Sequence, residues 1–156
     1  MIEKIVVEIN TPVEKVFQFM VDYDKHYTEV NQNHIERVVT IKDPSLEHPD
    51  VSFYFRQISP ITGKEQKIRG RVTRVEMNKY IGTRFLFPIS LVLPKVENIF
   101  EQKGKGCLLT TNLHFTFLSD FMKKSRQQVV EHITDELMET KKRLENQTDT
   151  TKPETY

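Results

Sequence analysis

Residues 107–144 read CLLTTNLHFTFLSDFMKKSRQQVVEHITDELMETKKRL and decide the fold. The first part alternates apolar and polar side chains, which is typical of a half-buried strand. Ser119 or Asp120 is placed to cap a long amphipathic helix predicted over about residues 121–144. A helix with one apolar stripe must bury it, and the apolar face of a sheet is the partner available here. The apolar face of the strand comprises Cys107, Leu109, Leu113, Phe115 and Phe117.

Upstream of this segment, short strand patterns alternate with turn residues. Val51, Phe53 and Phe55 alternate with polar neighbours, which predicts a half-buried strand. Gln57 continues their face and is expected to point inward. Pro94 is expected at a sheet edge or a bulge, because proline has no backbone N–H to donate to a neighbouring strand. Further strands are predicted over residues 35–41, 68–72, 81–87 and 91–100.

The N-terminal part adds a strand and two helical segments. A strand pattern over residues 2–9 leads into a predicted helix, in which Thr11 and Glu14 have capping-box spacing. Pro12 suits the first helical position, and a second short helical turn is predicted over residues 22–30. Strands with hairpin-length connections and segregated helices predict an α+β fold. In it a curved antiparallel β-sheet wraps around a long C-terminal α-helix.

Length and charge limit the classes of function. The 156 residues suit one domain, predicted over residues 1–146, with a polar tail over 147–156 predicted to be disordered. The 23 basic and 22 acidic side chains give a net charge of +1. Basic side chains alternate along residues 64–74, which favours the solvated face of a strand over a nucleic-acid site. We therefore expect no nucleic-acid partner.

The remaining bulk features favour a cytoplasmic location. The chain has one cysteine, Cys107, which excludes an internal disulfide and fits a reducing compartment. The first residues, MIEKIVVEI, lack the basic start of a signal peptide. No apolar run approaches the roughly 20 residues of a membrane span.

Two ionisable residues interrupt the inward side of the last predicted helix. At about 100° per residue, His132 and Glu136 fall within the apolar arc that contains Val129, Ile133 and Leu137. Buried carboxylates are normally paired or bound to metal. Residues four apart are neighbours on a helix, so this pair can bind each other or one ion. Both interpretations remain open at this point.

Two further polar residues are candidates on the sheet. Gln57 is expected to face the helix, or simply to mark the polar rim where its strand ends. His34 opens the second strand, whose buried set is expected to be Ile35, Val39 and Ile41, so His34 is expected at the rim. The sequence contains no nucleophile elbow, glycine-rich phosphate loop or paired-cysteine zinc motif. No catalytic residue is therefore assigned from the sequence.

The chain resembles the START/Bet v-type superfamily, also called SRPBCC or polyketide cyclase-like, over about residues 2–146. The resemblance rests on the opening strand with INTPVEKVFQFMVDYDKHY, residues 9–27, the strand-rich middle and the amphipathic closing helix. It implies a helix-grip fold with a cavity between sheet and helix. Members hold lipids, sterols, polyketides or aromatic metabolites in that cavity, and a minority catalyse reactions there.

One branch, the phloretin and diacetylphloroglucinol hydrolases, is similar in three segments. HYTEVNQNHIE, residues 26–36, resembles the first zinc-ligand segment and implies His34 as a ligand. VSFYFRQISPITGK, residues 51–64, resembles the second and places Gln57 where the family has glutamate. VVEHITDEL supplies His132 and Glu136. A neutral amide is a weaker ligand than a carboxylate, so this departure implies a lower zinc affinity and leaves open ligand binding without turnover.

Two functions follow as expectations. The first is binding of a small apolar or aromatic molecule in the cavity; the second is a zinc-dependent hydrolase acting on an acylated aromatic or similar ketone. A solid core would instead leave a scaffold role, and some similar domains regulate partner proteins. The sequence predicts no particular ligand or oligomeric state. The cavity is expected to be lined by Phe53, Phe55, Gln57, Phe85, Phe87, Phe115, Val129 and Ile133, and the metal ligands are expected to be His34, Gln57, His132 and Glu136.

Overall fold

The elements of the chain follow the predicted order. The computed structural model describes residues 1–41 and 51–151. The strands are β1 (Ile2–Ile9), β2 (His34–Ile41), β3 (Val51–Ile58), β4 (Glu65–Glu76), β5 (Tyr80–Phe85), β6 (Lys95–Lys103) and β7 (Gly106–His114). The helices are α1 (Val13–Val21), α2 (Tyr23–His26) and α3 (Lys123–Thr151), with 3₁₀ helices at Ile89–Leu91 and Phe117–Met122.

The seven strands form one antiparallel sheet in the order β1-β7-β6-β5-β4-β3-β2. This order makes β1 and β2 the edge strands of the sheet. β1 pairs with β7 along its whole length. Leu137 and Leu144 of α3 join Leu109 and Leu113 of β7 in the hydrophobic core. The predicted α+β architecture, an antiparallel sheet with a long C-terminal helix packed on it, is confirmed.

Strand β2 faces the core with different residues from those predicted. Its register with β3 shifts after His34 and again after Val39. A bulge changes which side chains point to a given face of the sheet. Ile35 and Ile41 are exposed, whereas His34 is buried. The expected burial of these isoleucines is wrong, and the histidine expected at the rim lies inside.

Strands β5 and β6 are shorter than predicted. β5 ends at Phe85, so Phe87 lies beyond the strand and is 76 % exposed. The inward position predicted for Phe87 is therefore wrong. β6 begins only at Lys95, after a 3₁₀ helix that occupies part of the predicted strand. Pro94 precedes an interior strand, so its predicted edge or bulge position is also wrong.

The first helix does not have the predicted capping box. α1 begins at Val13, and its N-cap residue Pro12 makes no side-chain capping bond. The Thr11 backbone N–H instead donates to the Ile9 carbonyl oxygen at 2.8 Å. This tight turn buries the Thr11 hydroxyl, which has no hydrogen-bond partner among the described residues.

The connection between β7 and α3 turns two phenylalanines outward. β7 ends at His114, and the following 3₁₀ helix has a tighter repeat than an α-helix. Phe117 is 73 % exposed and Phe121 is 82 % exposed. The predicted position of Phe117 on the buried face of the strand is therefore wrong, because the strand ends before it. Phe121, predicted as the start of the long helix, lies in the 3₁₀ helix instead.

Helix α3 also ends later than predicted. It continues past the expected end at Leu144 as far as Thr151. The predicted tail, 147–156, overlaps the end of this helix, and residues 152–156 lie outside the described part. Within residues 1–41 and 51–151, no helix combines the length and apolar character needed to cross a membrane.

Gly70 of β4 lies where the inner face of the sheet has no room for a side chain. It pairs with Phe53 of β3, and an added Cβ would lie 2.6 Å from Phe53 Cζ and 3.1 Å from the Arg84 carbonyl oxygen. We expect Gly70→Ala to lower the free energy of unfolding by about 1–3 kcal/mol, measured by urea denaturation. In a Phe53→Ala background the same change should cost less. Equal costs in both backgrounds would contradict this explanation.

Candidate functional site

A cavity of about 170 Å³ lies between α3 and the inner face of the sheet. Most of its wall is apolar, and a few polar side chains are gathered among the aromatic rings. A solid aromatic core, the alternative considered from the sequence, is not what the structure has. The apolar wall includes Phe55, Ile68, Phe85, Leu93, Val129 and Ile133, and the polar wall includes Tyr23, Tyr27, Gln57, His132 and Glu136.

The structure places the expected lining residues in three environments. Phe53 and Phe115 are buried but do not contribute to the cavity wall, and Phe87 points to solvent beyond the end of β5. The remaining expected residues lie on the wall: Phe55, Gln57, Phe85, Val129 and Ile133.

Three ionisable side chains meet beside the cavity, and two of them, His132 and Glu136, line its wall. His34 comes from the start of β2, whereas His132 and Glu136 lie one turn apart on α3. Glu136 Oε1 lies 2.6 Å from His34 Nε2 and 2.7 Å from His132 Nε2. The two Nε2 atoms lie 3.3 Å apart. His34 Nε2, His132 Nε2 and Glu136 Oε1 therefore form a small triangle. We call these three residues the His/His/Glu cluster.

Hydrogen bonding fixes which ring nitrogen of His34 carries a hydrogen. Its Nδ1 lies 2.6 Å from the Tyr27 carbonyl oxygen, an acceptor, so Nδ1 donates. In a neutral ring Nε2 then has only a lone pair, which faces Glu136 Oε1. Two lone pairs at that distance repel, so a proton must lie between them. A metal cation could replace that proton only if the two atoms moved apart to the spacing of metal ligands.

Asn31 fixes the opposite tautomer in the second histidine, His132. The Asn33 backbone N–H donates to Asn31 Oδ1 at 2.8 Å, which turns the Asn31 amide nitrogen towards His132 Nδ1 at 3.5 Å. His132 Nδ1 therefore accepts, and His132 Nε2 donates to Glu136. A metal at His132 Nε2 requires that hydrogen to move to Nδ1, with Asn31 presenting its oxygen instead.

Glu136 is ionised despite its burial. Burial raises the pKa of its carboxyl group, but the hydrogen bonds from His132 and His34 and their charges outweigh that effect and hold the pKa at about 2. Its second oxygen, Oε2, accepts from the Tyr23 hydroxyl at 3.1 Å. Burial, and then the charge of Glu136, raises the pKa of Tyr23, so this phenol remains a donor.

Sequence reasoning missed Tyr23, Tyr27 and Asn31. The Tyr27 ring stacks on the His34 ring with centroids 3.8 Å apart and planes at 4°. Its hydroxyl donates to Gln57 Oε1 at 3.3 Å. The two tyrosines stand four apart around α2, a spacing that could have marked one face. Their partners on α3 and β3 are distant in the chain, so no local pattern reveals those contacts.

The cluster lies at the boundary between the cavity and a surface groove. His132 and Pro60 border both the cavity and an open groove of about 680 Å³. Carboxylates of Glu131 and Asp135 line the groove. His132 is therefore placed between the enclosed space and solvent.

The His/His/Glu cluster has the composition and spacing of a metal site. His34, His132 and Glu136 each offer one ligand atom, and all three atoms lie within 4.8 Å of one another. Imidazole and carboxylate are zinc ligands at about 2.0–2.2 Å, which separates neighbouring ligand atoms by about 3.3 Å in a tetrahedron. The bond from His34 Nδ1 to a carbonyl is the usual support for a ligating histidine. The residues present therefore fit zinc after small side-chain adjustments.

Comparison with known proteins connects this chain to others through its fold. No protein-family model matches the sequence, and a comparison with curated proteins gave no match. Among solved structures, a START superfamily protein from Mycobacterium smegmatis is similar, with a TM-score of 0.67 at 15 % identity. The match covers 93 % of this chain and 97 % of that one.

Two aromatase/cyclase structures are also similar. The Zhui aromatase/cyclase from Streptomyces sp. R1128 has a TM-score of 0.67 at 10 % identity, covering 96 % of this chain and 93 % of that one. The di-domain ARO/CYC StfQ from the steffimycin biosynthetic pathway has a TM-score of 0.76 at 12 % identity. That match covers 95 % of this chain and 51 % of StfQ. Identities this low establish a common architecture only, and the chain therefore has the START-like helix-grip fold that these proteins share.

Proposed function

We propose that the chain binds a small apolar or aromatic molecule in the cavity, with a polar group of that molecule directed at the His/His/Glu cluster. The cavity itself carries the proposal, because it combines an apolar wall with a few gathered polar groups. This combination is the usual character of small-molecule sites. Phe55 and Phe85, whose ring centroids lie 6.2 Å apart in an edge-to-face arrangement, offer aromatic surface to a ligand ring.

The volume of the cavity limits the size of the ligand. A space of about 170 Å³ is close to the roughly 150 Å³ cavity that accepts benzene in another protein. A single ring with a short substituent fits, whereas a sterol or an intact lipid requires the walls to move. Indole and phenol are therefore suitable probes.

Native mass spectrometry of protein purified without chelator tests the proposal. We expect a fraction of the protein to carry a small organic molecule, and we expect indole or phenol to bind stoichiometrically in calorimetry. Protein with no adduct that also fails to bind either probe would contradict the proposal.

A second candidate function is zinc-dependent hydrolysis of an acylated aromatic or similar ketone, and the geometry of the cluster favours it. His34, His132 and Glu136 each offer one ligand atom, all within 4.8 Å of one another, and small side-chain adjustments would bring these atoms to the spacing of zinc ligands. Zinc supplies Lewis-acid polarisation of a carbonyl group. His34, His132 and Glu136 would hold the ion, while Tyr23 and Tyr27 orient the cluster through Glu136 and His34.

Gln57 offers a direct test of zinc binding. It is buried and pairs across the strands with His34, at the position where the hydrolase branch carries glutamate. We expect Gln57→Glu to tighten zinc binding by about tenfold or more, because a carboxylate is a stronger ligand than an amide. Zinc affinity is measured by competition with a chromogenic chelator.

The conservative change Gln57→Asn is the matched control, and it should not tighten binding. Zinc affinity unchanged by Gln57→Glu would place this side chain outside the metal site. Cleavage of an acylated phenol is measured by chromatography. If the protein binds zinc but does not cleave this substrate, the hydrolase proposal is rejected and the ligand-binding proposal stands.

A further inference from the structure

Among residues 1–41 and 51–151, the exposed aromatic side chains are concentrated at one end of the sheet. The chain has ten phenylalanines, and the three that are mostly exposed, Phe87, Phe117 and Phe121, lie just beyond the ends of β5 and β7. Other exposed apolar side chains accompany them. We call this set the apolar end: Leu86, Phe87, Leu91, Phe117, Leu118, Phe121 and Met122.

Hydrogen bonds join the two segments that form the apolar end. The Thr116 backbone N–H donates to the Val92 carbonyl oxygen at 3.0 Å, and the Thr116 hydroxyl donates to the Leu91 carbonyl oxygen. The segment after β5 and the segment after β7 therefore lie side by side. Their exposed side chains form one apolar surface, of a kind that marks interaction sites.

The charge beside the apolar end is positive. Lys123 and Lys124 follow Met122 directly and are exposed. The nearby carboxylate of Asp120 is paired with Arg126 at 2.9 Å, and the same arginine lies 4.0 Å from Glu3. The surface thus combines protruding aromatic rings with adjacent lysines, which is the composition of segments that bind at the interface of anionic membranes.

We propose that the apolar end docks this protein onto an anionic lipid bilayer, with the three phenylalanines inserted among the lipid headgroups. A second copy of the chain is a poorer occupant, because a two-fold interface here would face two surfaces of the same positive charge. An anionic bilayer supplies the opposite charge. The 3₁₀ helix between Phe87 and Leu93 also contributes Ile89 to the cavity wall, so docking would bring that end of the cavity close to the membrane. This proposal does not depend on what the cavity binds.

Co-sedimentation with sucrose-loaded vesicles tests the proposal. The full chain is expected to sediment with vesicles of phosphatidylcholine and phosphatidylserine but not with phosphatidylcholine alone, and added salt should release it. Phe121→Ser should lower the partition coefficient roughly tenfold, since an inserted aromatic side chain is lost. The double variant Lys123→Glu, Lys124→Glu should remove the preference for anionic vesicles.

Met77→Ser is the matched control, because Met77 is exposed in the turn between β4 and β5, at the opposite end of the sheet. Its partition coefficient should equal that of the wild type. Circular dichroism should show Phe121→Ser to be folded, since that side chain lies outside the core. Wild-type protein that remains in the supernatant with both vesicle types would overturn the proposal. So would light scattering that shows a wild-type dimer and a monomeric Phe121→Ser variant, because the surface would then belong to a second copy.

Discussion

Replacing Glu136 by alanine is expected to weaken zinc binding by more than about 100-fold, because loss of even an outer-shell partner costs roughly 10–100-fold. The same change leaves the buried His34 and His132 side chains and the Tyr23 hydroxyl without their common acceptor. We therefore also expect the zinc-free protein to lose about 3 kcal/mol of stability. Calorimetric zinc titration and urea denaturation measure the two effects.

Two variants separate these effects. Glu136→Gln retains the side-chain shape without the charge, so it should lose zinc binding while keeping more stability than Glu136→Ala. Glu131→Ala changes an exposed carboxylate on the same helix, at the groove, and should bind zinc like the wild type. Wild-type zinc affinity in Glu136→Ala would show that the cluster is only a hydrogen-bonded group.

Filling the cavity is expected to abolish binding of small molecules. Ile133 lies on the cavity wall, and Ile133→Trp would place a larger ring in a space of about 170 Å³. We expect indole and phenol binding to become undetectable by calorimetry, and the co-purified molecule to disappear from the native mass spectrum. Overpacking should cost about 1–3 kcal/mol of stability. Circular dichroism should therefore confirm that the variant is folded before its probe binding is compared with that of the wild type.

Met138→Trp provides the control for this change. Met138 lies on the same helix but is 49 % exposed, so the added ring should project into solvent and leave probe binding unchanged. Undiminished indole binding in Ile133→Trp would mean that the ligand site lies elsewhere in the molecule.

Much of the fold could be predicted from the sequence because its signals are local. The alternation in β3 and β7 reports which face is buried, and the apolar stripe of α3 reports which side packs on the sheet. The inward positions of His132 and Glu136 followed from that stripe, and that of Gln57 from the alternation of β3. These residues lie within regular elements, where side-chain direction follows the period of the element.

The parts that could not be predicted depend on irregular backbone or on distant contacts. The bulges of β2 turn His34 inward, and no local pattern indicates them. Phe87 and Phe117 continue the apolar alternation of two strands, yet both lie beyond the ends of β5 and β7. The bond from His34 to the Tyr27 carbonyl depends on how α2 packs against β2. Such tertiary contacts override local preference.

Strand β2 and helix α3 bring three ligand atoms together beside the cavity. X-ray diffraction from zinc-soaked crystals, recorded at the zinc absorption edge, tests it most directly. We predict one strong anomalous peak bounded by His34 Nε2, His132 Nε2 and Glu136 Oε1, next to a cavity that is not filled by protein. An electron-density map without that peak, with Glu136 and His132 directed to bulk solvent or the cavity filled by aromatic rings, would contradict this arrangement.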